Sequence, residues 1–407
     1  MKLKNSQFTE SFLKESYMEY GDVGLYWGSM ILLTGCFTVT PDRFLFMKFG
    51  YSNCGKTVSD KVSLFWAEHL HPISISSRIT PAGLGKLYKL SKSDEERQAE
   101  WKKFYNSGLL LVEDLSKATT KYLRLTTVSF LAGLTRDAKF DDVTFEGAGF
   151  NVPITKEPKK IMVSGTPAHW EELSSSDIFL EHVDRRSLQV MFLLTDKEWA
   201  ERKKRALDEG KENDDSIISK WRRMISSCYA KNGINIPKTT IKLNRKTVNG
   251  RANVFNQMMK VKAYPENVAE MIDALAKGHA MINGRDYVVS EDYEIIDKIF
   301  SRALYISDMK KKEFLIVEEV LRNKGPHGVP EKDLVYLLRM RSKREDIPEF
   351  EMVRKTIHKH IGVSKYLTFN KVSGSGVATC PQTYIDISPT LDGIFKQWEK
   401  EIMEIIT

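Results

Sequence analysis

Residues 43–70 read RFLFMKFGYSNCGKTVSDKVSLFWAEHL, and the architecture turns on them. An apolar run over 43–49 stops at a glycine, a short loop follows, and from Lys56 the apolar positions fall at helical spacing. Gly50-Tyr51-Ser52-Asn53-Cys54-Gly55-Lys56-Thr57 is a complete G-x-x-x-x-G-K-T, set between strand and helix as that motif requires. The glycines let the backbone curl until its N–H groups and the helix start face phosphate oxygens. Lys56 is expected to bridge the β- and γ-phosphates of ATP, and the Thr57 hydroxyl to ligate Mg2+. Gly50, Ser52, Asn53, Cys54 and Gly55 complete the expected cradle.

The same alternation continues to about Leu194. Apolar runs at 72–79, 108–114 and 159–167 are separated by helical patterns over 56–70, 82–106 and 119–135. Continuous apolar runs between helices predict an α/β fold with a parallel sheet buried on both faces. Leu109-Leu-Leu-Val-Glu113-Asp114 brings two acids to a strand end, Glu113 assigned to the Mg2+ shell and Asp114 to the attacking water, with the two roles exchangeable. Around Gly147 and Gly149 the stretch 141–158 predicts an inserted β-hairpin. Ile161-Met-Val-Ser164-Gly-Thr166 ends in hydroxyls; in a phosphate-loop core with the central strand order of that class, it would lie between the loop strand and the acid strand. Ser164 or Thr166 then either contacts the γ-phosphate or water, or simply caps the strand end. Asp184-Arg185-Arg186 offers guanidinium groups that either complete a neighbouring subunit's site, which requires an oligomer, or are ordinary surface charges.

The 407 residues are 42% hydrophobic and 29% charged, which excludes disordered and fibrous classes and suggests two or three domains. A net charge of +8 permits a polyanionic partner without demanding one. Cys36, Cys54, Cys228 and Cys380 form no C-x-x-C pair, so neither a disulfide framework nor a zinc site is expected and a reducing compartment fits. The longest apolar stretch, 24–37, is short for a membrane span and follows acids; it reads as a buried core helix in a cytoplasmic protein with no membrane attachment.

Three units are expected: an α/β core with N-terminal helices over 1–195, a linker, basic segment and helical lid over 196–307, and a last unit over 308–407. Between Pro237 and Pro265 seven basic residues and no acid occur, lining a DNA channel or a solvated hairpin face. Ser290-Glu291-Asp292 predicts a helix start with Ser290 as cap. The last unit reads as helices over 310–322, 330–340 and 348–361, strands over 365–372 and 383–388, and a closing helix from Leu391, the pattern of a winged helix-turn-helix. Its third helix carries Arg354, Lys355, His358 and Lys359, and Lys365 and Lys371 flank the wing. That basic surface suits DNA phosphates, with protein contact as the alternative use.

Taken in order, GKT, LLLVED, IMVSGTP and DRR resemble Walker A, Walker B, sensor 1 and the arginine finger of AAA+ P-loop ATPases. The resemblance covers roughly 25–307 and implies a parallel-sheet core, a helical lid and assembly into a homo-oligomeric ring or helix, with ATP bound between subunits. The insertion at 141–158 sits where part of the class carries a hairpin aimed at a DNA pore. Residues 272–292 are similar to the lid of minichromosome-maintenance helicases, although Asn267 stands where their sensor-2 arginine falls and their large N-terminal DNA-binding domain has no counterpart ahead of this core. The resemblance implies an ATP-hydrolysing DNA motor or initiator, with replication or mobile-element proteins as further partners. The alternative is a nucleotide-gated switch or loader with slow turnover.

Overall fold

In the computed structural model the described residues are 6–51, 54–75, 81–135, 143–147, 150–155, 157–177, 179–208, 214–232, 248–260, 264–307, 309–344, 354–372 and 382–407. The chain begins with α1 (Gln7–Val39), which is a hairpin of two helical arms, not one rod. Gly21 has φ 68° and ψ −145°, a left-handed conformation open to glycine, and it reverses the chain. Phe12 on one arm and Gly35 on the other consequently meet the same side chain, Trp66. Glu201 accepts the Val23 N–H at 2.9 Å and so caps the second arm. Every residue from Val23 to Val39 is buried, as expected of 24–37. By length and composition α1 could cross a membrane, yet 94% of its most apolar window lies inside the protein.

The apolar runs form a five-stranded parallel sheet. Its elements are β1 (Leu45–Phe49), α2 (Lys56–Ser63), β2 (Ile73–Ile75), α3 (Pro81–Leu90), α4 (Glu95–Asn106), β3 (Leu109–Val112) and α5 (Lys121–Leu134). The hairpin β4 (Val143–Gly147) and β5 (Phe150–Thr155), β6 (Lys160–Gly165), α6 (Pro167–Ser174) and β7 (Ser187–Met191) complete it. The strand order is β2-β3-β6-β1-β7, so β6 lies between the loop strand and the acid strand. The expected hairpin is present, lying against α3 and α4. Two expected helices are shorter than the sequence suggested. The helix after the loop tightens into a 3-10 stretch at Leu64–Leu70. The region 82–106 divides because Asp94 accepts the Glu96 and Arg97 N–H groups and starts a new helix.

Two lysines at the start of β6 are buried. Lys159 donates to the carbonyls of Phe104 at 2.8 Å and Ser107, ending α4, and Lys160 donates to Phe37 at 2.6 Å and Thr40, ending α1. These ammonium groups satisfy orphan carbonyls at the negative helix ends. Burial pulls both below the ordinary lysine range, Lys159 to about 7.

Helices α7 (Asp196–Asp208), α8 (Asp214–Asn232), α9 (Val248–Met258), α10 (Pro265–Ile282) and α11 (Ser290–Tyr305) follow. Part of the basic stretch is thus the helix α9, where Arg251 forms two hydrogen bonds to Asp273 at 2.7 and 2.8 Å. Lys238, Lys242, Arg245, Lys246 and Lys262 lie outside the described residues. Ser290 is the first helical residue of α11, not its cap. Asp292 does that work by accepting the Val289 N–H at 2.7 Å, while it also holds His279 at 2.6 Å.

The last unit comprises α12 (Lys311–Asn323), β8 (Val329–Pro330), α13 (Glu331–Arg344), α14 (Arg354–Val363), β9 (Leu367–Val372) and β10 (Gln382–Ile387). Its strands pair antiparallel in the order β8-β10-β9. The final helix, α15 (Pro389–Ile406), which the sequence grouped with this unit, packs on α1 and α11. Its apolar stripe finds Tyr26, whose ring lies 5.8 Å from that of Trp398. Against both rings sits Arg302, buried, paired with Glu198 at 2.7 Å and lying 3.9 Å from the Tyr26 ring and 4.9 Å from that of Trp398. A guanidinium can be kept in such a place because both a carboxylate and aromatic faces receive it.

Candidate phosphate-loop site

The loop after β1 is built by close backbone approach. A Cβ on Gly50 would lie 2.8 Å from that of Phe192, at the end of β7. Gly55 has φ 97°, and a Cβ there would lie 2.2 Å from Trp27 Nε1, which donates to the Cys54 carbonyl at 3.1 Å. Packing therefore requires both motif glycines, conformation requires Gly55 as well, and α1 props the loop from behind. Lys56 opens α2, its ammonium resting on the Gly50 carbonyl and, at 2.9 Å, on that of Tyr51. Thr57 is exposed in the first turn. Ser52 and Asn53 lie outside the described residues.

Beneath the loop is a buried polar cluster that joins three elements. Lys48 of β1 pairs with Asp60 of α2, at 0% and 1% side-chain exposure, and the Ser164 hydroxyl of β6 donates to Asp60 at 2.6 Å. Burial pulls the Lys48 ammonium below its ordinary range, against the opposing pull of Asp60. Ser164 is thus committed to the helix behind the loop. Thr166, half-buried, caps α6 through the His169 N–H at 3.4 Å.

Glu113 and Asp114 stand just past β3, both half-buried, with Ser74 donating to Glu113 at 3.1 Å. Val112 pairs with Val163, and Val163 with Met47, which sets Glu113 level with Lys48 and Asp114 level with Phe49. Two strand spacings, about 9–10 Å, separate them from β1. Loop and acids therefore share the C-terminal edge of the sheet, where parallel α/β sheets bind ligands.

Arg185 and Arg186 occupy the opposite edge. They precede Ser187, which pairs with Leu45 at the start of β1, and Asp184 anchors their turn by accepting from Gln189 at 3.1 Å. The five residues of β7 span about 16 Å, more than an arginine side chain reaches, so neither arginine serves the loop of its own chain. Among the described residues, the buried Arg185 Nε meets no hydrogen-bond partner.

In the last unit α14 begins at Arg354, and the Arg354 and Lys355 side chains lie outside the described residues. His358 is engaged within the unit, paired with Glu331 and with its ring 4.9 Å from that of Phe369. Lys359, Lys365 and Lys371 are all exposed, Lys365 with its ammonium 4.9 Å from the Tyr366 ring. A cavity of about 390 Å³ between α6, β7 and the α11–α12 connection, lined by Trp170, Gln189, Met191 and Lys310, shares no residue with the phosphate loop.

No protein-family model matches the sequence, and a search of curated proteins finds no match. The chemistry of the residues carries the reading. A glycine-bounded loop, an ammonium, an exposed hydroxyl at a helix start and two carboxylates on the same sheet edge fit a nucleoside triphosphate with its divalent cation. Sequence reasoning missed Lys48, Asp60 and Tyr51. Lys48 had left a signal, a lone charge inside the apolar strand FLFMKF that only a buried partner explains.

Proposed function

We propose that the protein is an ATP-hydrolysing AAA+-type DNA-binding motor or initiator that acts as a homo-oligomer. One observation carries this reading: β6 lies between β1 and β3, which sets the glycine loop and the Glu113-Asp114 pair on one sheet edge. Gly50, Ser52, Asn53, Cys54, Gly55 and Lys56 would hold the phosphates, and Thr57 and Glu113 the Mg2+. The bound Mg2+–ATP would supply a phosphoryl group whose developing charge the site stabilises. Lys56 exchanges its bonds to the Gly50 and Tyr51 carbonyls for phosphate oxygens. Asp114 orients a water and accepts its proton at a carboxylate oxygen. Arg185 or Arg186 acts on the neighbouring subunit, which the distance to its own loop supports.

The order α12, β8, α13, α14, β9, β10 with sheet order β8-β10-β9 supports a winged helix, with α14 and the wing as the DNA surface. Lys359, Lys365 and Lys371 are its exposed described cations. The second reading, a nucleotide-gated switch, is favoured by the burial of Tyr51 of the phosphate loop beneath α12 and α13. The test is ATP turnover with and without DNA, for wild type and Lys56→Ala. Turnover stimulated by DNA and lost in Lys56→Ala is expected. Turnover unchanged by Lys56→Ala would overturn the reading, and slow turnover indifferent to DNA would favour the switch.

A further inference from the structure

The phosphate loop and the last unit meet at one residue. Tyr51, second in the loop and 1% exposed, has its ring 5.9 Å from that of Phe314 on α12. The guanidinium of Arg341, from α13, lies 4.7 Å from the other partner in this contact, the same tyrosine ring. Arg341 is itself fixed, by Glu318 and by Glu319 at 3.0 Å, all three being buried. It is a rigid platform on the tyrosine and not a mobile surface charge.

The backbone of Tyr51 faces the other way. Its carbonyl accepts the Lys56 ammonium at 2.9 Å, a bond that Lys56 must give up to reach a phosphate. A single residue therefore carries both the resting place of the catalytic-loop lysine and the seat of the last unit. The seat connects onward: α12 is buried continuously from Phe314 to Leu321 and packs against α6 and α7 on one side and α13 and β10 on the other. α13 in turn touches β8 and β10, and His358 of α14 is tied to Glu331 at the start of α13. Among the described residues, packed elements lead from the wing sheet to the Tyr51 ring.

We propose that Tyr51 is a latch through which the C-terminal unit regulates the phosphate loop. The inference rests on the nucleotide-binding reading of that loop. With the ring gripped by Phe314 and Arg341, the loop is held ordered and binding a triphosphate costs less ordering entropy. Releasing the grip weakens binding. Because coupling between two sites is reciprocal, a nucleotide that favours the seated arrangement alters DNA affinity of the last unit by the same factor.

The experiment is calorimetric titration of ATP–Mg2+ into wild type, Tyr51→Ala, Phe314→Ala, the double variant and Tyr51→Phe, each with and without a short DNA duplex. Both single alanine variants should bind ATP about tenfold more weakly, the double variant no worse than either, and Tyr51→Phe like wild type. DNA should shift the ATP affinity of wild type by a factor of about 5 or more and leave that of Tyr51→Ala unshifted. Hydrogen exchange on wild type guards against a poorly folded Phe314→Ala: ATP should alter protection across 311–323. Wild type that binds no ATP would remove the nucleotide reading and the latch together. ATP binding by wild type with additive single effects, or with exchange across 311–323 unchanged, would overturn the latch alone and leave the loop reading standing.

Discussion

Replacing Lys48 by methionine tests the cluster beneath the phosphate loop. The side chains of Lys48 and Asp60 are 0% and 1% exposed, and once the ammonium is gone Asp60 keeps, among the described residues, only the Ser164 hydroxyl at 2.6 Å. Breaking a buried ion pair from one side costs about 3–5 kcal/mol, because the surviving charge is left without solvent or partner. Against a total stability of about 5–15 kcal/mol that loss is large. Lys48→Met/Asp60→Leu removes both charges and fills a similar volume, an exchange that is often neutral or stabilising. The double variant then loses chiefly the Ser164 hydrogen bond, about 1–3 kcal/mol. Urea denaturation with an unchanged slope is the assay. The double variant should be more stable than Lys48→Met, with an interaction free energy of several kcal/mol. A double variant no more stable than the single would refute the buried-pair account.

Lys159, held near pKa 7 by burial, gives the protein a pH dependence with a definite sign. Between about pH 7 and 10.5 the unfolded chain keeps this proton while the folded one has lost it, so stability rises with pH across that window. Lys159→Met should flatten the rise of melting temperature from pH 7 to 10; parallel profiles for the two proteins would contradict the burial effect. Gly21→Ala should destabilise by about 1–3 kcal/mol, since φ 68° disfavours alanine and the new Cβ would lie 2.4 Å from Glu201 Oε1. A melting temperature equal to wild type would show that α1 reverses by other means.

Much of the core was legible because its signals are local. Four strand runs, the glycine loop and the acids after LLLV are each set by a few adjacent residues, and the parallel order follows from the helices between them. The elements of the last unit were legible for the same reason. The reversal at Gly21 was not, because both flanking arms keep a helical apolar pattern and the groups that secure the turn, Glu201 on the Val23 N–H and Arg205 on the Glu19 carbonyl, lie some 180 residues away. The burial of Lys159 and Lys160 at the start of the 159–167 run was not legible either, because the carbonyls that receive them belong to the ends of α4 and α1. The commitment of Ser164 to Asp60 and of Tyr51 to Phe314 and Arg341 is also tertiary. A strand-end hydroxyl and a loop tyrosine carry no mark of a distant partner. The packing of α15 on α1 was hidden likewise, since an amphipathic stripe states that a face is apolar but not what covers it.

The Arg302 junction sets an order of events during synthesis. Tyr26 and Trp398, which enclose it, are about 370 residues apart in the chain. At about 5–20 residues per second, some 20–75 s pass on the ribosome between the emergence of the first and the last of these groups. The strands of the central sheet can pair once residue 191 is out, but until α15 follows the α1 hairpin lacks that partner and the Arg302–Glu198 pair, once made, lacks its aromatic cover on one side. The nascent protein therefore presents, until its end is made, the one side of an apolar helical hairpin that its own last helix will occupy. Its yield in a cell should respond more to whatever shields that hairpin during translation than to the stability of the finished fold.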